Sequence, residues 1–94
     1  MRFEWDEKKS QANFEKHGVW FEEAQTVWVD ANSVEFFDPD HSNDEEDRFI
    51  RVGLSAKLNL LVVVFCELDA AGIIRIISAR CATKKECKQY EEGI

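Results

Sequence analysis

Four arginines, Arg48, Arg51, Arg75 and Arg80, fall in the second half of the chain. A guanidinium stays charged at any ordinary pH, and its planar fork grips phosphate through two parallel hydrogen bonds. Glu67 interrupts an otherwise apolar run and is a candidate general base. His41 and His17 are the side chains whose ordinary titration lies nearest neutrality, so His41 is a candidate general acid. Tyr90 carries a hydroxyl that could reach a phosphate. Acid–base chemistry at a bound phosphate is what such a set can do.

Each of these residues also has a purely structural use. Arg48 and Arg51 could simply solvate an exposed sheet face. Arg75 sits inside Ile73-Ile74-Arg75-Ile76-Ile77, where a charge is rarely idle. It either pairs with Glu67 on an adjacent strand or lines a phosphate site. His17 ends a helix, where the dipole favours a cation. His41 could form a turn within Asp38-Pro39-Asp40-His41-Ser42, and Tyr90 could anchor the last helix. Strand alternation puts Arg75 and Arg80 on opposite faces, so a bulge or strand end near Ser78 is needed if both are to serve one site.

The elements that must position these groups can be read from pattern. Asp6 is a helix N-cap, and Gly18 supplies the left-handed residue after a helix ending near His17. Phe21, Ala24, Val27 and Trp28 share one helical face, which predicts a second helix over 21–29. Trp20 stands where its N-cap should be a Ser or Asp. Strands are expected at 34–37, 48–55, 58–68 and 73–78, with Phe49, Arg51 and Gly53 on one face and Ile50, Val52 and Leu54 on the other. Short links favour antiparallel pairing. Thr83-Lys84-Lys85-Glu86 fits a capping box opening a helix that runs to about Glu92. The expected fold is α+β: two N-terminal helices, an antiparallel sheet of about four strands and a C-terminal helix.

Composition bounds the rest. The 94 residues, 45% apolar and 33% charged, make one folded domain over 1–94. The longest apolar run, Leu60 to Cys66, is far short of the roughly 20 residues that span a bilayer, and the first residues lack a secretory apolar region. A cytoplasmic protein without membrane contact is expected. The net charge of −7 is uneven. Residues 1–47 hold 14 acids and 4 bases, while residues 48–94 hold 5 acids and 8 bases. The total opposes nucleic-acid binding by long-range attraction, yet the second half can hold a phosphate at short range. Cys66, Cys81 and Cys87 form no metal-binding spacing, so neither metal nor cofactor is expected. The crowding of Trp20, Phe21 and Trp28 on a short helix suits either a small core or a partner surface.

Seven strings, in order, resemble one family. They are Phe3-Glu4-Trp5-Asp6-Glu7-Lys8, Asn13-Phe14-Glu15-Lys16-His17-Gly18-Val19, Phe21-Glu22-Glu23-Ala24, Asp38-Pro39-Asp40-His41-Ser42, Arg48-Phe49-Ile50-Arg51-Val52-Gly53, Ile74-Arg75-Ile76-Ile77-Ser78-Ala79-Arg80 and Tyr90-Glu91-Glu92-Gly93. Together they are similar to the BrnT family of type II toxins, over nearly the whole chain. The resemblance implies a RelE-like fold and a metal-independent ribonuclease toxin. It also implies neutralisation by a BrnA-like ribbon-helix-helix antitoxin, a complex of two toxins with two antitoxins, and operator DNA bound only through the antitoxin. Arg80, within the family string, then has the strongest catalytic case, with Arg75, Glu67 and His41 beside it. Arg48, Arg51 and Tyr90 would hold the RNA phosphate.

The chain departs from the family pattern where cations are expected. Glu67 is followed by Leu68 rather than arginine, Leu58-Asn59-Leu60-Leu61 lacks a basic residue, and Glu86-Cys87-Lys88 replaces a Glu-Arg-Arg string. A charge-assisted phosphate contact is worth roughly 1.5–3 kcal/mol. A second reading is therefore a catalytically degenerate relative that binds its antitoxin and serves as a transcriptional co-repressor module.

Overall fold

A computed structural model describes residues 1–38, 47–68 and 72–93. Strand β1 (Arg2–Glu4) leads into helix α1 (Glu7–His17). The Asp6 carboxylate accepts from the backbone N–H groups of Lys8 at 2.8 Å and Lys9 at 3.4 Å. At the far end Gly18 adopts φ +75° and donates its N–H to Phe14, so both predicted caps are present.

Helix α2 covers Phe21–Ala24 only and continues as a 3-10 turn, Gln25–Val29. The single helix expected over 21–29 is thus broken. The Thr26 hydroxyl donates to the Glu23 carbonyl at 2.6 Å, a local bond of the kind that competes with the α-helical ladder. The cap missing at Trp20 is supplied from elsewhere: the fully buried Ser10 Oγ of α1 accepts the Phe21 N–H at 3.0 Å.

Four further strands follow, β2 (Val34–Asp38), β3 (Arg48–Leu54), β4 (Leu60–Glu67) and β5 (Ile73–Cys81), then helix α3 (Lys84–Glu91). The sheet has five strands in the order β1-β5-β4-β3-β2. The expected antiparallel ladder holds from β2 to β5, but β1 joins parallel to β5, with Glu4 opposite Arg75. Three residues, two of them charged, carry too little alternation to announce a strand. The fold is α+β with a mixed sheet and three helices, rather than four antiparallel strands.

Strand alternation gives the sheet two unlike faces. Leu61, Val63, Ile76 and Ala79 pack against Val19, Phe21, Ala24 and Val27 to form the core under α1 and α2. Trp28 meets Phe3 and Phe65 edge-on at 5.0 and 4.8 Å. Gly53 allows the 3-10 turn to sit this close, because a Cβ there would lie 2.6 Å from Val27 Cγ1 and 2.7 Å from the Ser33 Cβ. On the other face α3 is laid down lightly, with none of its residues buried.

Two details set the geometry of β5. The register from Cys81 to Ser78 against β4 slips by one residue before Ile76, so Ile77 is an extra residue, a β-bulge. Just past it, the buried Asn13 of α1 donates to the Ala79 carbonyl at 2.8 Å and accepts the Ala79 N–H at 3.2 Å. The same Asn13 amide also donates to the Val19 carbonyl at 2.8 Å.

Candidate active site

The bulge decides which arginines share a face. Val62 stands opposite Arg80, Val64 opposite Ser78, and, after the slip, Cys66 opposite Arg75. Because Val62, Val64 and Cys66 alternate on one side of β4, Arg75, Ser78 and Arg80 lie on that side together. Arg48 joins them, being opposite Cys66 on β3, and Asp38 stands opposite Arg48 on β2. The alternation conflict visible in the sequence is resolved by Ile77.

A cavity of about 250 Å³ lies on this face, lined by Asp38, Arg48, Ser78 and Arg80 over a floor of Ile50, Val62, Val64 and Ile77. It combines two guanidiniums, a hydroxyl and a carboxylate on an apolar base. Asp38 is buried, as are Val62 and Cys66 nearby. Two guanidiniums facing one cavity can bind a phosphate's oxygens, and a carboxylate beside them can accept a proton. Asp38 and Ser78 were not singled out from sequence. For Ser78 the available signal was its place two residues before Arg80, on the same alternation, whereas Asp38 comes beside Arg48 only through the pairing of β2 with β3.

Arg80 is not idle in this arrangement. Its Nη1 and Nη2 donate to Glu86 Oε1 and Oε2 at 2.8 and 2.9 Å, a fork-to-fork pair. Glu86 also closes the capping box of α3 by accepting the Thr83 N–H at 2.8 Å. The Arg80 hydrogen bonds, working against burial and aided by Thr83, pull the Glu86 carboxyl down to about 2. The same bonds raise Arg80 above its ordinary value.

The other predicted residues are dispersed. Arg75 occupies the same face but opens on a separate cavity of about 540 Å³ near Trp5 and Lys9, and it pairs with Glu4 at 3.0 Å. The structural partner expected for it was Glu67. The parallel strand β1, not foreseen, puts Glu4 there instead. Glu67 ends β4 on the alternation of Phe65 and Val63, the helix-covered side, and is exposed. Arg51 is on that side too, paired with Glu35 at 2.7 Å and lying 5.1 Å over the Trp28 ring. His41 lies outside the described residues. His17 is in the last turn of α1.

Tyr90 anchors α3. Its hydroxyl donates to Asp30 Oδ2, an oxygen that also accepts the Leu54 N–H at 2.8 Å. That hydrogen bond, with some burial, pushes the Tyr90 hydroxyl up to about 12. Burial acts to raise the Asp30 carboxyl, but the bonds from Tyr90, Leu54 and Asn32, with the nearby Arg51 charge, outweigh it and hold Asp30 below its ordinary value. Among the described residues no group of three or more His, Cys, Asp or Glu could hold a metal, and no helix is long and apolar enough to cross a membrane.

A family model described as the ribonuclease toxin BrnT of type II toxin–antitoxin systems matches residues 5–86. Among solved structures, the crystal structure of the Brucella abortus ribonuclease toxin BrnT is similar, with a TM-score of 0.62 and 24% identity over 89% of this chain and 99% of that one. That likeness is one of fold. No curated protein sequence matches the chain.

Proposed function

This chain belongs to the BrnT family of ribonuclease toxins of type II toxin–antitoxin systems, and we propose that its own cleavage site is the cavity between Arg48 and Arg80. The observation that carries the proposal is the bulge at Ile77, which turns Arg80 and Ser78 toward Arg48 and Asp38. In this reading the two guanidiniums hold the scissile phosphate and offset the charge that builds on it. The Asp38 carboxylate accepts the 2′-hydroxyl proton, the role that the sequence suggests for Glu67, which faces the other way. His41, three residues beyond Asp38 in the sequence, delivers a proton to the departing 5′-oxygen. Arg75 and its cavity would meet a neighbouring stretch of the RNA strand. Arg51 and Tyr90, each engaged internally, steady the fold.

Substrate must take the place of Glu86 on the Arg80 fork. Purified protein incubated with labelled RNA tests the site. Arg80→Ala should slow cleavage by roughly 10- to 100-fold, as expected for one charge-assisted phosphate contact. Chelator should leave the rate unchanged, since no metal takes part. Equal cleavage by wild type and Arg80→Ala would remove the proposal.

A second reading draws on the same Arg80–Glu86 pair. Arg51, Arg75 and Arg80 are each matched by an internal carboxylate, as suits a catalytically degenerate co-repressor module. That reading predicts no growth arrest on expression, together with a stable antitoxin complex. In either case the partner is an antitoxin of the BrnA-like, ribbon-helix-helix kind, in a complex of two toxins and two antitoxins in the cytoplasm. The net charge of −7 leaves operator DNA to the antitoxin.

A further inference from the structure

We propose that the outer margin of β2 receives an extended, cationic segment of the antitoxin, which adds a sixth strand to the sheet. The inference rests on the family's antitoxin partnership and adds where, and through what chemistry, the partner docks. The sheet has two margins, β1 and β2. β1 is three residues long and bears Arg2 and Glu4, the short and charged kind of edge that resists further pairing. β2 is Val34-Glu35-Phe36-Phe37-Asp38, with no lysine and no proline inside it. An edge strand leaves a row of backbone donors and acceptors open, and an added strand is a common way to use them.

The side chains of β2 fit that use. Phe36 and Phe37 remain 45% and 52% exposed, one on each face of the same edge strand. An incoming strand alternates its own side chains and would cover both rings at once. Phe36 and Val34 also border a cavity of about 170 Å³ that runs beneath Gln89 and Tyr90 of α3. That volume accepts one apolar side chain from the guest.

Charge selects the guest. Glu35 and Asp38 lie on this margin and the exposed Asp47 beside it, with no Lys or Arg within β2. A second copy of this chain would bring those carboxylates against their own kind, which disfavours pairing. A segment carrying Lys or Arg beside its apolar residues is drawn in.

The test uses the full chain, alone and in complex with the antitoxin encoded beside it, followed by hydrogen exchange. Amides of residues 34–38 should slow by roughly tenfold or more in the complex. The Phe36→Ser/Phe37→Ser double variant alters exposed positions, and its folding is checked by circular dichroism. It should bind the antitoxin roughly tenfold or more weakly while cleaving RNA like the parent. A complex that forms with β2 exchanging as in the free chain overturns the inference and leaves the antitoxin partnership standing. Loss of RNA cleavage with β2 still protected would do the reverse, removing the catalytic reading alone. Absence of any complex overturns both the partnership and the inference. Protection of β2 that rises with the concentration of this chain alone identifies a second copy as the guest and also overturns it.

Discussion

The two faces of the sheet are built to opposite specifications. Under α1 and α2 the surface is closed: Leu61 and Val63 are fully buried with Phe21 and Val27, Phe65 is fully buried against Trp28, and Arg51, on that side, is matched by Glu35 and lies on Trp28. Across the sheet, the same strands present Arg48, Arg75 and Arg80, open cavities, and a helix with no buried residue. Since adjacent residues of a strand point to opposite sides, each strand supplies both surfaces from alternate positions. Stability is therefore concentrated on one parity and chemistry on the other.

That contrast can be broken most directly from the closed side. Phe65→Ala should cost about 3–5 kcal/mol, measured by urea denaturation, a large part of the about 5–15 kcal/mol that holds a domain together. A loss below about 1 kcal/mol would show that the core is not where the stability lies. Gly53→Ala should cost about 1–3 kcal/mol through crowding, because its new methyl meets Val27 and Ser33.

On the open side the effects shrink. Tyr90→Phe removes the hydrogen bond to Asp30 and should cost roughly 1 kcal/mol, with RNA cleavage retained. A loss of cleavage would return Tyr90 to the phosphate-binding set. Smallest is the acid response of the Arg80–Glu86 pair. Glu86 is depressed to about 2 from an ordinary 4.5, so its stabilisation is whole above 4.5 and drains away as the pH falls toward about 2. The Tm gap between wild type and Glu86→Gln should narrow through that window. A constant gap would mean that the pair contributes nothing.

Local signals were legible where they are complete within a few residues. Asp6, Gly18 and the Thr83–Glu86 box delimit α1 and the start of α3, and alternation over 48–55 together with β-branched, aromatic and apolar runs marked the strands from Val34 onward. What escaped depends on distant partners. β1 is a strand only because β5 lies beside it, and α2 is capped by Ser10, eleven residues upstream of Phe21. The candidate site followed the same rule. Alternation required a bulge for Arg75 and Arg80 to share a face, and Ile77 is that bulge. The placement of Glu67 on the far side and of Asp38 beside Arg48 depended on knowing which strand pairs with which.

Asn13 carries one more consequence. Beyond Arg75, β5 has run past the end of β1, and the Asn13 carboxamide meets the N–H and C=O of Ala79 as the peptide group of a neighbouring strand would. A single side chain thus impersonates a missing ribbon and seals that stretch against adhesion. Replacing it with leucine would unseal the flank, and the chain would gain a tacky border on the side opposite β2.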